Sequence, residues 1–210
     1  MQESASRATS YTEEIQSVVD RVAMGGPIRL DLGAGHKHDA GWIALDLKLT
    51  RQKIKDGHVV PGEVDIAPDI ECDLMAIPLP DNYADEARAI HVIEHFQPWD
   101  APLAMREWVR LLKPGSELAI ECPCLDKIVK LFDVPNIPPY MTYWGLYGDP
   151  RLEDPLMMHH WCYTEAQLMR LMQKCGLINI HGQPPRFHQL ARDMRIVGAK
   201  PATGPRIVLD

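Results

Sequence analysis

The sequence has no apolar run approaching the ~18 residues that a membrane-spanning helix requires. Its opening stretch, MQESASRATSYTEE, has neither a basic start nor an apolar segment, which argues against a secretory leader. Positive charge is in short supply. The 22 Lys and Arg stand against 29 Asp and Glu, for a formal net charge of -7, and this argues against a broad nucleic-acid-binding face. Paired CxxC spacing is also missing. The five cysteines (72, 122, 124, 162 and 175) are odd in number and fit reduced thiols in a cytoplasmic protein better than a disulfide framework. No internal repeat is present. A chain of 210 residues without these features is expected to form one domain with a tail.

What the chain does contain is an alternation of apolar runs and amphipathic stretches. Residues 1–10 are small and polar and are expected to fray. Ile15, Val18, Val19 and Val22 then mark one helix, ended by Gly25-Gly26-Pro27. IRLDLGAG, GWIALDL, DIECDL, ARAIHV and SELAIECP read as five strands, and INIHG and MRIVGAK as two more. Between ARAIHV and SELAIECP a helix is expected, with Asp100 as cap, a stripe through Met105, Trp108 and Leu112, and a stop at Pro114-Gly115. A second runs from the capping box Thr164…Gln167 to Gly176. The basic cluster RQKIK at 51–55 is read as a solvated helix face. This alternation predicts an α/β fold with a mostly parallel sheet covered on both faces. Residues 125–160, rich in Pro, Tyr and Met, interrupt it and read as an inserted lid.

In open α/β sheets, ligands sit beyond the C-terminal strand ends. The first predicted strand ends in glycines, so a ligand can lie against the backbone at Gly33 and Gly35. The second ends in Asp46, placed to accept from a ribose diol, and the third in Asp73, placed to accept from an exocyclic amine. Each has a plainer reading, as a turn glycine or a capping acid. Together, in this order, they point to a nucleoside. A dinucleotide is disfavoured, because His38 stands where G-x-G-x-x-G wants its third glycine. Only five residues separate Gly35 from Gly41, which leaves little room for a crossover helix.

The ordered segments LDLGAG, GWIALD, DIECDLMAIPLPDNYADEARAIHVIEHF, REWVRLLKPGSELAIECP, HHWCYTEAQLMRLMQKCGL and RDMRIVGAKP resemble the class I S-adenosylmethionine-dependent methyltransferases. Within them the chain looks most like a small bacterial and phage-type group with HVLEH and LKPGG segments. The resemblance covers about residues 28 to 201. It implies a Rossmann-like, doubly wound sheet of seven mostly parallel strands with helices on both faces and an antiparallel last strand. Residues 1–27 then form a tail and helix, and residues 28–203 the methyltransferase domain. It implies S-adenosyl-L-methionine as cofactor, with Asp31, Gly33, Ala34 and Gly35 in the glycine loop. Asp46 and Leu47 take the ribose side, Asp73 and Leu74 the adenine side, and His91 the methionine side. Lys113-Pro114-Gly115 matches a structural turn, and His159 a histidine before the last helix. Two departures stand out. Ser116 replaces a second glycine, and the first crossover is short, so His36, His38 or the first helix are left to hold the cofactor carboxylate. The stretch 47–67 is longer than the family leads one to expect.

The pentapeptide His91-Val92-Ile93-Glu94-His95 also matches the H-x-x-E-H zinc signature of inverted zincin peptidases. That chemistry needs both histidines on one helical face. Here a strand runs into His91, so a helix can begin only after it, which argues against a metallopeptidase and leaves no metal site assigned. Cys122-Pro123-Cys124 reads as buried inert thiols rather than a metal pair. His91, His95 and His159 are the candidate catalytic residues, with His160 expected at the surface. Tyr140, Tyr143, Trp144 and Tyr147 suit stacking on a ring-shaped small-molecule acceptor, and equally suit a homodimer contact. The rivals are a methyltransferase-fold module without catalysis and a nucleic-acid methyltransferase. The intact acids and glycines weigh against the first, and the acidic charge against the second.

Overall fold

The computed structural model describes residues 2–202 apart from 36–37, 48, 56–57 and 152–153; for residues 2–12 and 49–65 only the backbone is described. In chain order the chain forms α1 (Gln2–Ala23), β1 (Arg29–Leu32), β2 (Ile43–Asp46), β3 (Leu49–Lys55), β4 (His58–Ile66), β5 (Ile70–Glu71) and β6 (Ala84–Ile90). A 3-10 turn (Ile93–His95), α2 (Ala101–Leu111), β7 (Leu112–Pro123), α3 (Leu125–Leu131) and α4 (Tyr143–Tyr147) follow. The chain closes with α5 (Glu165–Lys174), β8 (Ile178–Gln183) and β9 (Asp193–Ala199).

Seven strands form one sheet in the order β5-β2-β1-β6-β7-β9-β8. The pairs from β5 to β7 are parallel, and β9 runs antiparallel to both β7 and β8. This is the doubly wound, Rossmann-like α/β arrangement expected from the sequence. Leu30, Leu32, Ala89, Leu118 and Ile120 are inaccessible to solvent, as central parallel strands buried on both faces require. Charged residues enter the sheet in register as pairs. Asp31 stands beside Arg88 across β1 and β6, and Glu121 beside Arg195 across β7 and β9.

The helix α2 packs Met105, Trp108 and Leu111 fully into the core. Asp100 occupies its N-cap position, but its side chain makes no capping hydrogen bond. The box predicted at α5 is complete, with Thr164 and Gln167 bonding each other's backbone. Gly176 closes that helix at φ +96°, a conformation open to glycine.

Two expectations are corrected. The helix α1 reaches back to Gln2, where a frayed tail was expected, so its backbone stays helical beyond the apolar stripe. RQKIK lies on strand β3 and not on a helix. The unexpected length of 47–67 is an antiparallel hairpin, β3–β4, with an irregular register at Gln52/Lys53. It forms its own two-stranded sheet between β2 and β5. Residues 125–160 fold as α3, α4 and two 3-10 turns, Pro139–Met141 and Pro155–Met157. Among the described residues no helix is long and apolar enough to cross a membrane.

Candidate functional site

The first crossover is short, and none of its described residues is helical. The chain turns directly from β1 into β2 through Gly33, whose N–H donates to Leu45 O at 2.8 Å. A side chain at Gly33 would place its Cβ 2.5 Å from Val92 Cγ2, and φ is +72°. Both facts restrict the position to glycine, because Val92 packs against its backbone. Asp46, at the tip of β2, accepts from Gly35 N–H through Oδ2 and from Leu47 N–H through Oδ1, each at 2.8 Å. A carboxylate has about four lone-pair sites, so Asp46 holds the glycine turn and still has acceptor capacity facing outward.

Asp73 lies beyond the short strand β5 in an Asx turn, with Met75 N–H donating to its Oδ1 at 2.8 Å. The turn is fixed from the core: the Trp108 indole N–H donates to Leu74 O at 3.0 Å. Arg110 donates to the carbonyls of Ile77 and Leu79, and Glu107 accepts from Ile77 N–H. Thus α2 positions the 73–79 segment by polar anchors as well as by packing.

His91 ends β6 with φ +54°, a left-handed conformation that costs an L-residue ~1 kcal/mol. Its N–H donates to Glu121 O at 2.7 Å, and its ring lies between two carboxylates. Nδ1 is 3.0 Å from Glu94 Oε1, and Nε2 is 3.0 Å from Asp193 Oδ2. Burial opposes charge on this imidazole, but the two acids outweigh it and push its pKa up to about 9. Burial likewise opposes ionisation of Glu94 and Asp193, yet the cationic neighbours hold both carboxyls down at about 2.

Two further histidines face Glu94. The His95 Nδ1 is 3.0 Å from Met158 O and the His159 Nδ1 is 3.0 Å from Gly145 O. A carbonyl can only accept, so in each ring Nδ1 carries the proton and Nε2 bears a lone pair. Burial lowers the pKa of both, which favours the neutral ring. Their rings meet edge to face with centroids 4.8 Å apart.

A cleft of about 320 Å³ opens between these strand tips and the 154–160 segment. Gly33, Asp46, Leu47, Asp73, Leu74 and His91 form one side. Its volume lies in the ~300–1,000 Å³ range of small-molecule sites. Among the predicted residues, Asp31 does not line it. Its carboxylate is buried against Arg88 Nη2 at 2.5 Å, and Arg88 also reaches Asp39 and lies over the Trp42 and Phe187 rings. Ala34 and Gly35 shape the turn behind the cleft. His36 is outside the described residues, and His38 lies 3.8 Å from Asp69.

The other side of the cleft comes from Phe96 and from Leu156, Met157 and the exposed His160 of the 125–160 segment. A second cavity of about 450 Å³ is lined by Tyr143, Trp144 and Tyr147 and meets the cleft at Met157. Tyr140 does not line it, although its ring lies 6.1 Å from that of Trp144. The peptidase geometry is absent: His91 is at a strand tip, and only Ile93–His95 form a 3-10 turn. Cys122 and Cys124 are buried free thiols.

Residues 30–120 match the family model described as a methyltransferase domain. No curated protein matches the chain. Among solved structures, it is similar to the S-adenosylmethionine-dependent methyltransferase SibL in its apo form, at 13% identity over 91% of this chain and 55% of that one, with a TM-score of 0.53. It is similar to human N-acetylserotonin methyltransferase in complex with S-adenosylmethionine, at 14% identity over 90% of this chain and 51% of that one, TM-score 0.52. A S-adenosylmethionine-dependent methyltransferase from Methanosarcina mazei aligns at 15% identity over 88% of this chain and 97% of that one, TM-score 0.55. The chain spans about half the length of the first two. The fold is that of the class I methyltransferases. The methyltransferase-domain model matches residues 30–120, and the fold is shared with S-adenosylmethionine-dependent methyltransferases.

Proposed function

We propose that this protein binds S-adenosylmethionine in the cleft at the strand tips and moves its methyl group to an oxygen or nitrogen of a small acceptor. A sugar- or nucleotide-like ring is the favoured acceptor. One observation carries the reading: a glycine turn, a ribose-type acid and an adenine-type acid from three separate strands converge on a single cleft. Gly33 borders the cleft, and Asp46 has lone pairs to spare for a diol. Asp73 accepts from an exocyclic amine while Leu74 packs beside the ring. His91 borders the methionine end.

Bound there, the cofactor supplies an electrophilic methyl group on a sulfonium. The protein's share is to align that carbon with the acceptor at ~3 Å. A hydroxyl acceptor also needs a base, and His95 borders the cleft as a neutral ring with Nε2 free. The neighbouring cavity, with Tyr143, Trp144 and Tyr147, offers stacking surface for a ring. Free, mostly buried thiols suit a reducing cytoplasm.

Calorimetry with S-adenosylmethionine tests the reading. The wild type is expected to bind, and Asp46→Ala to bind more than ~tenfold more weakly, the loss of about two hydrogen bonds to a charged acceptor. Absence of binding to the wild type, or equal affinity in the variant, would sink it. A screen for labelled methyl transfer across sugars, nucleotides and amines then identifies the acceptor, and binding without turnover on any of them would point to a non-catalytic module.

A further inference from the structure

Glu94 is fully buried, and among the described residues neither of its carboxylate oxygens receives a hydrogen bond. His91 balances its charge from one side, at 3.0 Å but without hydrogen-bond alignment. On the other side stand His95 and His159. One donor atom from each of Glu94, His95 and His159 lies within 4.8 Å of the other two. Both histidines commit their Nδ1 protons to backbone carbonyls, Met158 O and Gly145 O, which leaves each an Nε2 lone pair to offer an ion. Three acceptors therefore converge around a buried carboxylate, with His91 as the cation on its other side. Such an arrangement is costly unless a cation occupies the centre.

We infer that Glu94, His95 and His159 form a binding site for a divalent transition-metal ion of the zinc type, open to the cleft. Two imidazoles and one carboxylate are the donor set of open zinc sites, and they do not suit magnesium or calcium, which prefer oxygen alone. The carbonyl partners of both Nδ1 atoms are the outer-shell contacts that fix a ligating histidine's tautomer and orientation. Tetrahedral ligands with ~2.1 Å bonds lie ~3.4 Å apart, so the ion draws the three side chains inward by somewhat more than an ångström. Of the three ligands His95 borders the cleft, so an ion held there would stand beside an acceptor bound in it. There it lowers the pKa of a bound hydroxyl, and His95 then acts through the ion rather than as a free base. The site shares Glu94 and His95 with the H-x-x-E-H pattern but takes its third ligand from residue 159, not from His91. It stands on the protein's own donors and does not depend on cofactor binding.

The test is metal binding by the full chain, without S-adenosylmethionine. After chelator treatment, the wild type is expected to take up one Zn²⁺ per chain and to develop visible absorption bands with Co²⁺. His95→Gln and His159→Gln are expected to weaken Zn²⁺ binding more than ~tenfold, while His181→Ala, an exposed histidine on β8, leaves it unchanged. Failure of the wild type to bind either ion at micromolar concentration, or equal affinity in His159→Gln, overturns the inference. If circular dichroism shows that a variant has not folded, X-ray absorption of the Co²⁺-loaded wild type decides. Two imidazoles with one carboxylate support the site, and a thiolate or an all-oxygen shell refutes it. Loss of S-adenosylmethionine binding with metal binding intact would refute the proposed function alone.

Discussion

His91 Nε2 stands 3.0 Å from Asp193 Oδ2, joining the tip of β6 to the first residue of β9. Asp193 is inaccessible to solvent and also receives Arg192 Nε at 2.6 Å. Asp193→Asn leaves two buried cations without this anion and is expected to cost about 3–5 kcal/mol, read from urea unfolding at pH 7. Burial opposes its ionisation, but His91 and Arg192 hold its carboxyl down at about 2, below its ordinary 3.8. Its stabilisation is therefore complete above pH ~4 and lost as pH falls toward 2. The Asn variant is expected to lack that part of the acid-unfolding slope.

Gly33→Ala is expected to lower both stability and cofactor affinity. Its φ of +72° costs an alanine ~1 kcal/mol, and its Cβ would fall 2.5 Å from Val92 Cγ2, at the edge of the cleft. Val92→Ala in the same chain removes the clash and leaves the backbone term. A thermodynamic cycle over the two single variants and the double variant should therefore show a favourable coupling of ~0.5 kcal/mol or more. Additive effects would mean that Val92 moves aside without cost.

Arg88→Met tests the ion pair inside the sheet. Asp31 and Arg88 are adjacent in register and 5% and 7% exposed, so removing the guanidinium strands a buried carboxylate. Burial already raises the pKa of Asp31 against the pull of Arg88. A loss of about 3–5 kcal/mol is expected in thermal or urea unfolding. Asp31→Asn/Arg88→Met should recover much of it, and a double variant no more stable than Arg88→Met would contradict the account.

The sheet and the strand-tip residues on one side of the cleft could be read from the chain because their signals are local. An apolar run followed by glycines or an acid marks β1 with Gly33 and β2 with Asp46, and the tip of a parallel strand is also where a ligand sits. Asp31 has the same local signal, but its role depends on Arg88, 57 residues away on a strand whose register the sequence does not state. The approach of His159 to Glu94 is of the same kind, since it depends on how the 125–160 insertion folds back. The hairpin β3–β4 belongs to a separate two-stranded sheet outside the alternation of strand and helix that identified the rest. The course of α1 over residues 2–10 escaped the reading because that stretch carries no apolar stripe.

The backbone of Glu94 has a consequence for traffic through the cleft. Its carbonyl accepts the N–H groups of His160 and Trp161 at 2.8 and 3.2 Å, and His95 beside it donates to Met158 O. Three hydrogen bonds thus tie the 158–161 segment to the Glu94–His95 turn. Leu47 and Asp73 stand open to solvent on the opposite rim, so a ligand is expected to enter there, into a cup with a tied back.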